Sequence, residues 1–448
     1  MQTKSSQSTD VTLYHYQGEA VQEMSDKDSF LLADDMGLGK TVTVLVEIRQ
    51  NPHERVLIVC PKTVIPVWEA HIKWLVPEAV VHNGVYLGMQ FGSPCFVVTN
   101  YEQVRINEDL YRQVHWDYLV ADEAHYLKNR KARRTRALKH IRATRKRALT
   151  GTPVINRPDE LWSLLNWLHP LRYRSYWKFF EFYCDYWQHP TMGYKKVLGP
   201  KNTGHLRAEL SQFTLRRLKQ EVLTELPEKY YTRILVDLHP PQRRAYEGMK
   251  KDFLAWIGQH ENEPVPAPVV VAQLTRLRQF AAAYAQYDED GRVRLTEPSA
   301  KLDALMEIVE GTDQQIVVFS QFKDAIRLAQ ARLKDAGISY TTLTGDTPQG
   351  QRGERVESFQ AGQRRVFLGT TGAGGVGITL HAASIVVFID RSWSPADNAQ
   401  AEDRLHRIGQ KSAVQVILLE ARDTVDQAVE AKLRMKWSWI KQILGKDG

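Results

Sequence analysis

The scarce residues of this sequence set the first limits. Among 448 residues there are three cysteines, Cys60, Cys95 and Cys184. They are odd in number, far apart and without a Cys-x-x-Cys pair, which excludes a disulfide framework and fits a reducing compartment. No run of 18 or more apolar residues occurs, so no membrane-spanning helix is expected. The polar stretch Met1–Asp10 does not read as a signal peptide. No internal repeat of solenoid type is present. Acidic residues are missing altogether from Lys128–Arg147, where 11 lysines and arginines stand. One helical stripe cannot hold so many cations, so much of the run is expected to face water or the phosphates of a polyanion. Lys128, Arg130 and Lys131 are the candidate contacts; a merely solvated basic face is the other reading.

The rest of the composition is that of a folded chain with room for two or three domains. Hydrophobic residues make up 43%, charged residues 25%, and the net charge is +8. Short β-branched runs recur between helix-length segments: Arg55–Cys60, Cys95–Thr99, Trp116–Val120, Lys146–Thr150, Ile316–Phe319, Arg365–Gly369, Ile385–Asp390 and Val414–Leu419. Continuous apolar strands of this kind predict buried parallel sheets. They fall into two clusters, so the expected class is α/β with two lobes and helical insertions. Between the clusters, Leu161–Trp187 is crowded with aromatics at helix-compatible spacing, readable as a packing surface or as a base-stacking platform. Glu261–Pro268 (ENEPVPAP) reads as an exposed loop between helices.

Asp34–Thr41 (DDMGLGKT) lies between the apolar Phe30–Ala33 and the apolar run Val42–Ile48. That is the strand–loop–helix setting of a phosphate loop. Gly37 and Gly39 let backbone amides turn inward. Lys40 can reach β- and γ-phosphates, and Thr41 at the helix start can hold Mg²⁺. Asp34 stands where the full-length pattern has its first glycine. Downstream, a strand ending at Ala121 releases Asp122–His125 (DEAH). Asp122 suits Mg²⁺ and Glu123 suits polarising a water. Thr150–Pro153 (TGTP) either connects this site to the other lobe or is a plain strand-end turn. In the second cluster, Thr370–Leu380 is a glycine-rich loop. The stretch Asp390–Gln410 follows, with Arg404 and Arg407 three apart on one helical face. They are a surface salt-bridge patch or cations that meet the transferring phosphoryl group when the lobes close.

These motifs together resemble the SNF2 family of superfamily 2 helicase-like ATPases, from about Leu13 to Glu420. The likeness rests on LLADDMGLGKT (Leu31–Thr41), DEAHYLKN (Asp122–Asn129), LTGTP (Leu149–Pro153) and FTLRRLKQEVLTELPEK (Phe213–Lys229). It rests further on SAKLDAL (Ser299–Leu305), VVFSQF (Val317–Phe322), the loop Gly372–Gly377 and the SW…RLHRIGQ stretch. The resemblance implies two RecA-like lobes that bind ATP and Mg²⁺. The implied segments are a first lobe at 1–155, helical protrusions at 156–235 and 236–298, and a second lobe at 299–448. It also implies adenine recognition by Gln17, phosphate and Mg²⁺ binding by Lys40, Thr41 and Asp122, and water activation by Glu123. Arg404 and Arg407 would act across the cleft, Arg407 as the arginine finger. The implied activity is DNA-stimulated translocation on double-stranded DNA, held through its phosphate backbone, with remodelling of DNA or of a DNA-bound protein; the alternative is a strand-separating DNA or RNA helicase. A monomeric, cytoplasmic protein is expected, at the nucleoid of a bacterium or in the host cytoplasm of a virus. The family's accessory modules are not seen, which implies a bare motor core. One departure stands out: Gly372 replaces the large, commonly basic residue the family has before the AGG of the second-lobe loop.

Overall fold

The structure is a computed structural model and describes residues 12–51, 55–84, 94–153, 157–191, 193–223, 226–259, 267–372, 378–407 and 409–444. The chain divides into two compact units, Met1–Thr224 with Lys436–Gly448, and Glu225–Met435.

Among the described residues the first unit holds nine strands: β1 Ser29–Leu32, β2 Arg55–Cys60, β3 Val80–Asn83, β4 Cys95–Asn100, β5 Trp116–Asp122, β6 Ala143–Leu149, β7 Cys184–Gln188, β8 Lys195–Pro200 and β9 Thr214–Leu215. Seven of them form one sheet in the order β3-β4-β2-β5-β6-β1-β9, every described pair parallel. Side chains alternate across a strand, so a sheet covered on both faces needs apolar residues at every position. The two cores show that alternation. Leu31, Leu57, Val59, Val97, Leu119 and Ala121 lie in one apolar cluster, and Phe30, Leu32, Val56, Ile58, Phe96, Val98 and Val120 lie in the other.

The aromatic stretch is helical only in part. Helices cover Glu160–Leu168 and Tyr176–Tyr183, and at Cys184 the chain enters β7, which pairs antiparallel with β8. Period alone does not separate the last aromatics from a helix, because the strand partner lies beyond Gln188. Most of these rings do pack: Trp162, Tyr173, Phe179 and Tyr183 form a cluster with Leu206, Leu210, Phe213, Ile440 and Ile443.

The second unit repeats the architecture with β10 Lys229–Val236, β11 Tyr284–Tyr287, β12 Val293–Thr296, β13 Ile316–Ser320, β14 Tyr340–Leu343, β15 Val366–Thr370, β16 Ile385–Phe388 and β17 Val414–Ala421. Its six-stranded sheet runs β10-β17-β16-β13-β15-β14 and is parallel throughout. Again the strands alternate: Ile316, Val318, Leu368 and Val387 face one cluster, Val317, Phe319, Phe367 and Phe388 the other. Helices Pro240–Gln259 and Ala267–Ala282 and the β11–β12 hairpin pack beside the first of these clusters through Tyr246, Leu277, Phe280 and Leu295. The fold is therefore α/β with two parallel sheets and helical insertions. Most of the proline-bearing break at 261–268 lies outside the described residues, and Ala267 already begins a helix. Among the described residues, no helix is long and apolar enough to cross a membrane.

Candidate active site

In the first unit, three neighbouring parallel strands, β5, β6 and β1, release their carboxyl ends together. After β1 the chain turns through Gly37 at φ +83° and Gly39 at φ +74°, backbone values that favour glycine, and enters the helix Lys40–Gln50. A Cβ on Gly39 would stand 2.4 Å from Gln17 Nε2, so a side chain there would displace the Gln17 amide from the loop as well as strain the turn. Gln17 is buried against the loop: its Nε2 donates to the Leu38 carbonyl at 3.2 Å, and its Oε1 accepts from the Tyr14 amide at 3.1 Å. The Lys40 ammonium folds back across the loop and donates to the carbonyls of Asp34 and Asp35 at 2.7 and 3.0 Å.

Asp34, the residue in place of the pattern's first glycine, has a partner 183 positions away. Arg217 donates to its carboxylate from the backbone amide at 2.9 Å, from Nε at 3.1 Å and from Nη2 at 2.6 Å. The same guanidinium donates to the Tyr16 carbonyl. Next to it, Arg216 donates to the carbonyls of Ala33 and Gly151 at 3.1 and 3.0 Å. Strand β9 places both arginines by pairing with β1, Leu31 N to Phe213 O at 2.9 Å. Leu215, Arg216 and Arg217 thus tie together the helix His15–Ser25, the glycine loop after β1 and the TGTP turn. The Phe213–Lys229 motif contains those arginines, but the sequence alone gives them no role; two adjacent arginines and an aspartate in place of the pattern's first glycine were the available signal.

At the end of β5 the Asp122 carboxylate accepts from Trp68 Nε1 at 2.8 Å and from the Glu123 amide at 2.8 Å. Burial, and then the neighbouring Glu123, push its pKa up to about 6, while the Trp68 hydrogen bond and the charge of Lys40 pull it down. Nothing in the sequence marked Trp68, an indole on the apolar face of Ile65–Leu75. Glu123 sits at φ +48°, a left-handed conformation that costs a non-glycine residue about 1 kcal/mol or more. It turns the carboxylate aside from the strand, with Oε2 3.2 Å from His125 Nδ1. Tyr101 fastens the same corner by donating to the Asp122 carbonyl at 2.6 Å.

In the second unit the helix Pro395–Glu402 stops before Arg404. Arg404 and Arg407 therefore lie in turns and not on one helical face as the i, i+3 spacing predicts, yet they converge. Each has an Nη1 3.3 Å from the Ile378 carbonyl, and Arg407 also donates to Thr379 Oγ1 at 3.0 Å. Burial pushes the Arg407 pKa down from a very high value, which leaves a charged, poorly hydrated cation. Gly372 is exposed, and residues 373–377 of the glycine loop lie outside the described residues.

The basic run divides. Arg147 is fully buried and paired with Glu47 at 2.9 Å. Lys139 donates to Asn166 Oδ1 at 2.7 Å, and burial pushes its pKa down to about 8. Lys146 donates to the Trp167 carbonyl at 2.9 Å. Lys139, Lys146 and Arg147, in the carboxyl-terminal part of the run, thus end on interior partners. Lys131, Arg133, Arg136 and Arg142 are exposed, Lys128 half-buried, and Arg130 stacks 3.9 Å above the Tyr176 ring centroid.

Comparison with known families decides the class. The model of the SNF2-related domain matches residues 16–283, and that of the helicase conserved C-terminal domain matches residues 300–409. The chain belongs to the SNF2 family. It is an SNF2/helicase ATPase, with the family's ATPase domain followed by its helicase C-terminal domain. It is 31% identical over 446 residues to the human SWI/SNF-related matrix-associated actin-dependent regulator of chromatin subfamily A member 1, covering 92% of this chain and 42% of that one. An ATP-dependent helicase brm of Drosophila melanogaster is 30% identical, covering 92% of this chain and 28% of that one. An uncharacterized ATP-dependent helicase of Mycoplasma pneumoniae is 30% identical, covering 97% and 42%. This SNF2 chain thus spans well under half the length of these curated relatives. The solved Sulfolobus solfataricus SWI2/SNF2 ATPase core in complex with dsDNA is 26% identical with a TM-score of 0.45, covering 97% of this chain and 93% of that one.

Proposed function

We propose that this SNF2 ATPase is stimulated by DNA and uses the hydrolysis of ATP to move along the duplex, remodelling DNA or DNA-bound protein. The observation that carries the reading is the clustering at the carboxyl ends of β1 and β5. Lys40 is close enough there for its charge to lower the pKa of Asp122, with Thr41 and Glu123 adjacent in sequence.

The residues fit a triphosphate with its metal. The left-handed glycines form a cradle that a Cβ at Gly39 would fill. Lys40 exchanges two backbone carbonyls for β- and γ-phosphate oxygens, and Gln17, against the same loop, suits the adenine edge. The Thr41 hydroxyl and the Asp122 carboxylate are the hard oxygen donors Mg²⁺ prefers. When bound, Mg²⁺ neutralises charge that builds up on the phosphate oxygens. Among the described residues there is no cluster of three His, Cys, Asp or Glu able to hold a metal alone. Two protein donors completed by phosphates and waters are the usual arrangement for this ion. Glu123, turned out of line with the strand, orients the attacking water and accepts its proton. Arg407, assisted by Arg404, supplies positive charge to the transferring phosphoryl group.

The exposed cations Lys131, Arg133 and Arg136, with Lys128 and Arg130 beside them, support a track read through its phosphates. Binding of this type carries little sequence preference. The three cysteines are free and buried, which fits the reducing cytoplasm or nucleoid of a cell; we take the monomer as the working form. The deciding experiment measures ATP hydrolysis with duplex DNA, single-stranded DNA, RNA or none, together with displacement of a third strand from a triplex. Duplex-stimulated turnover with triplex displacement and no release of a paired strand is expected. Strand release without triplex displacement would promote the helicase reading in its place.

A further inference from the structure

The β7–β8 hairpin presents two different faces. Its inner face packs on the helix Tyr176–Tyr183. There the Tyr186 ring lies 5.1 Å from that of Phe180, and Lys195 lies 4.4 Å from the Tyr186 ring centroid with its ammonium 3.1 Å from Glu181. Alternation along paired strands sends the remaining residues outward. Trp187 stands opposite Lys196, with Tyr194 two residues before that lysine and the exposed Leu198 two residues after it, at a bulge in the pairing. Trp187, Tyr194 and Leu198 are 44%, 52% and 49% exposed. Towards the turn, the Trp187 and Tyr194 ring centroids lie 6.0 Å apart, with His189 between them at 5.5 and 5.0 Å.

Single exposed aromatics are ordinary on a protein surface. Two large rings stand together beside one lysine, with Leu198 exposed further along the same strand. Lys196 carries the positive charge of this face; Lys195 is paired with Glu181 on the inner side, and the acid of β7, Asp185, lies at its far end from the turn. Cations alone suffice to hold a duplex backbone, whose bases are stacked inside and offer nothing to a ring. Flat aromatic surface beside an ammonium group complements a strand whose bases are unstacked and whose phosphates are close by.

We infer that the outward face of this hairpin is a stacking platform for unpaired nucleotides. The preferred nucleic acid of the chain is then a duplex that carries a single-stranded stretch: a gap, a tail or a junction. This rests on the reading that the chain binds DNA and names the kind of DNA it selects. It needs no separation of strands by the hairpin, since the unpaired segment is present beforehand.

Fluorescence anisotropy of the whole chain, without nucleotide, tests it with two labelled probes. One is a blunt duplex of about 20 base pairs, and the other is the same duplex with an unpaired tail of about 10 thymidines, within the usual site size of a stacking groove. The wild type should prefer the tailed probe at least fivefold, as expected for about one stacked base. W187A/Y194A should lose that preference while keeping blunt-duplex affinity and Tm, because both rings are half in solvent; Trp187→Phe should retain most of it. Equal binding of the two probes by the wild type, or an undiminished preference in W187A/Y194A, overturns the platform. Failure to bind either probe sinks the DNA reading itself. Sedimentation showing a dimer that W187A/Y194A abolishes, with no tail preference, would assign the face to a second copy of this chain and overturn the proposal.

Discussion

The indole of Trp68 holds one carboxylate oxygen of Asp122 at 2.8 Å while the Glu123 amide holds the other, also at 2.8 Å. A buried acid with both oxygens engaged presents fixed lone pairs, and losing one donor frees it to rotate and to bind a proton. Trp68→Phe keeps an aromatic ring in the core but removes a hydrogen bond to a charged group, of a kind that contributes about 1.5–3 kcal/mol. The Mg²⁺ concentration for half-maximal ATPase should rise roughly tenfold or more near neutral pH. An unchanged Mg²⁺ requirement would show that this hydrogen bond does not set the donor.

The same carboxylate makes a pH prediction. Its pKa is raised to about 6 in the folded chain, so its ionised form carries a stability cost above that pH, relieved as pH falls towards the ordinary carboxylate range. Metal binding needs the ionised form. Mg²⁺ affinity should therefore be flat well above pH 6 and fall about tenfold per unit below it. A titration that keeps its full affinity at pH 5 would contradict the assignment.

Glu123→Gln should leave ATP binding within a few-fold of wild type and lower turnover by about 10²–10⁴, the range for loss of a positioned general base. Near-normal hydrolysis would move the role to another residue. In the second unit, Arg407→Ala should lower DNA-stimulated turnover by roughly 10³–10⁵ with little effect on ATP binding. A milder loss than that of Arg404→Ala would exchange their roles.

Arg217→Ala strands the buried Asp34 without its partner, a loss of about 3–5 kcal/mol in denaturant melts. Asp34→Ala/Arg217→Ala should regain part of it, because neither charge is then left alone. Equal destabilisation by the single and double variants would mean that Arg217 acts through packing and not through the ion pair.

Neutralising Lys131, Arg133 and Arg136 should flatten the log–log salt dependence of duplex binding by up to about 0.9 for each phosphate that no longer meets a cation. Lys139→Ala and Lys146→Ala should instead lower Tm and leave the slope unchanged, since both ammoniums end on interior oxygens. A slope unmoved by the first set would leave the run a solvated face.

Local chemistry wrote a good part of this in the sequence. Consecutive apolar residues in Arg55–Cys60 or Ile316–Phe319 demand a strand covered on both faces, and glycines ahead of Lys40 demand a tight loop before a helix. Those signals need no partner distant in the chain, so the two parallel sheets and the glycine turn ahead of the Lys40 helix were legible at once. The remainder depended on which distant segments meet. Arg217 reaches Asp34 across 183 positions and explains a missing glycine that the motif alone left open. Glu47 takes Arg147 into the interior, so a run of like charges expected to lie in large part at the surface ends inside the core. Trp68 finds Asp122 because two helix–strand units pack side by side, and Trp187 reaches solvent because its strand pairs with residues beyond the turn. Spacing along a chain carries a side chain's period, but the burial and partner of each charge are set only when the sheet assembles around it.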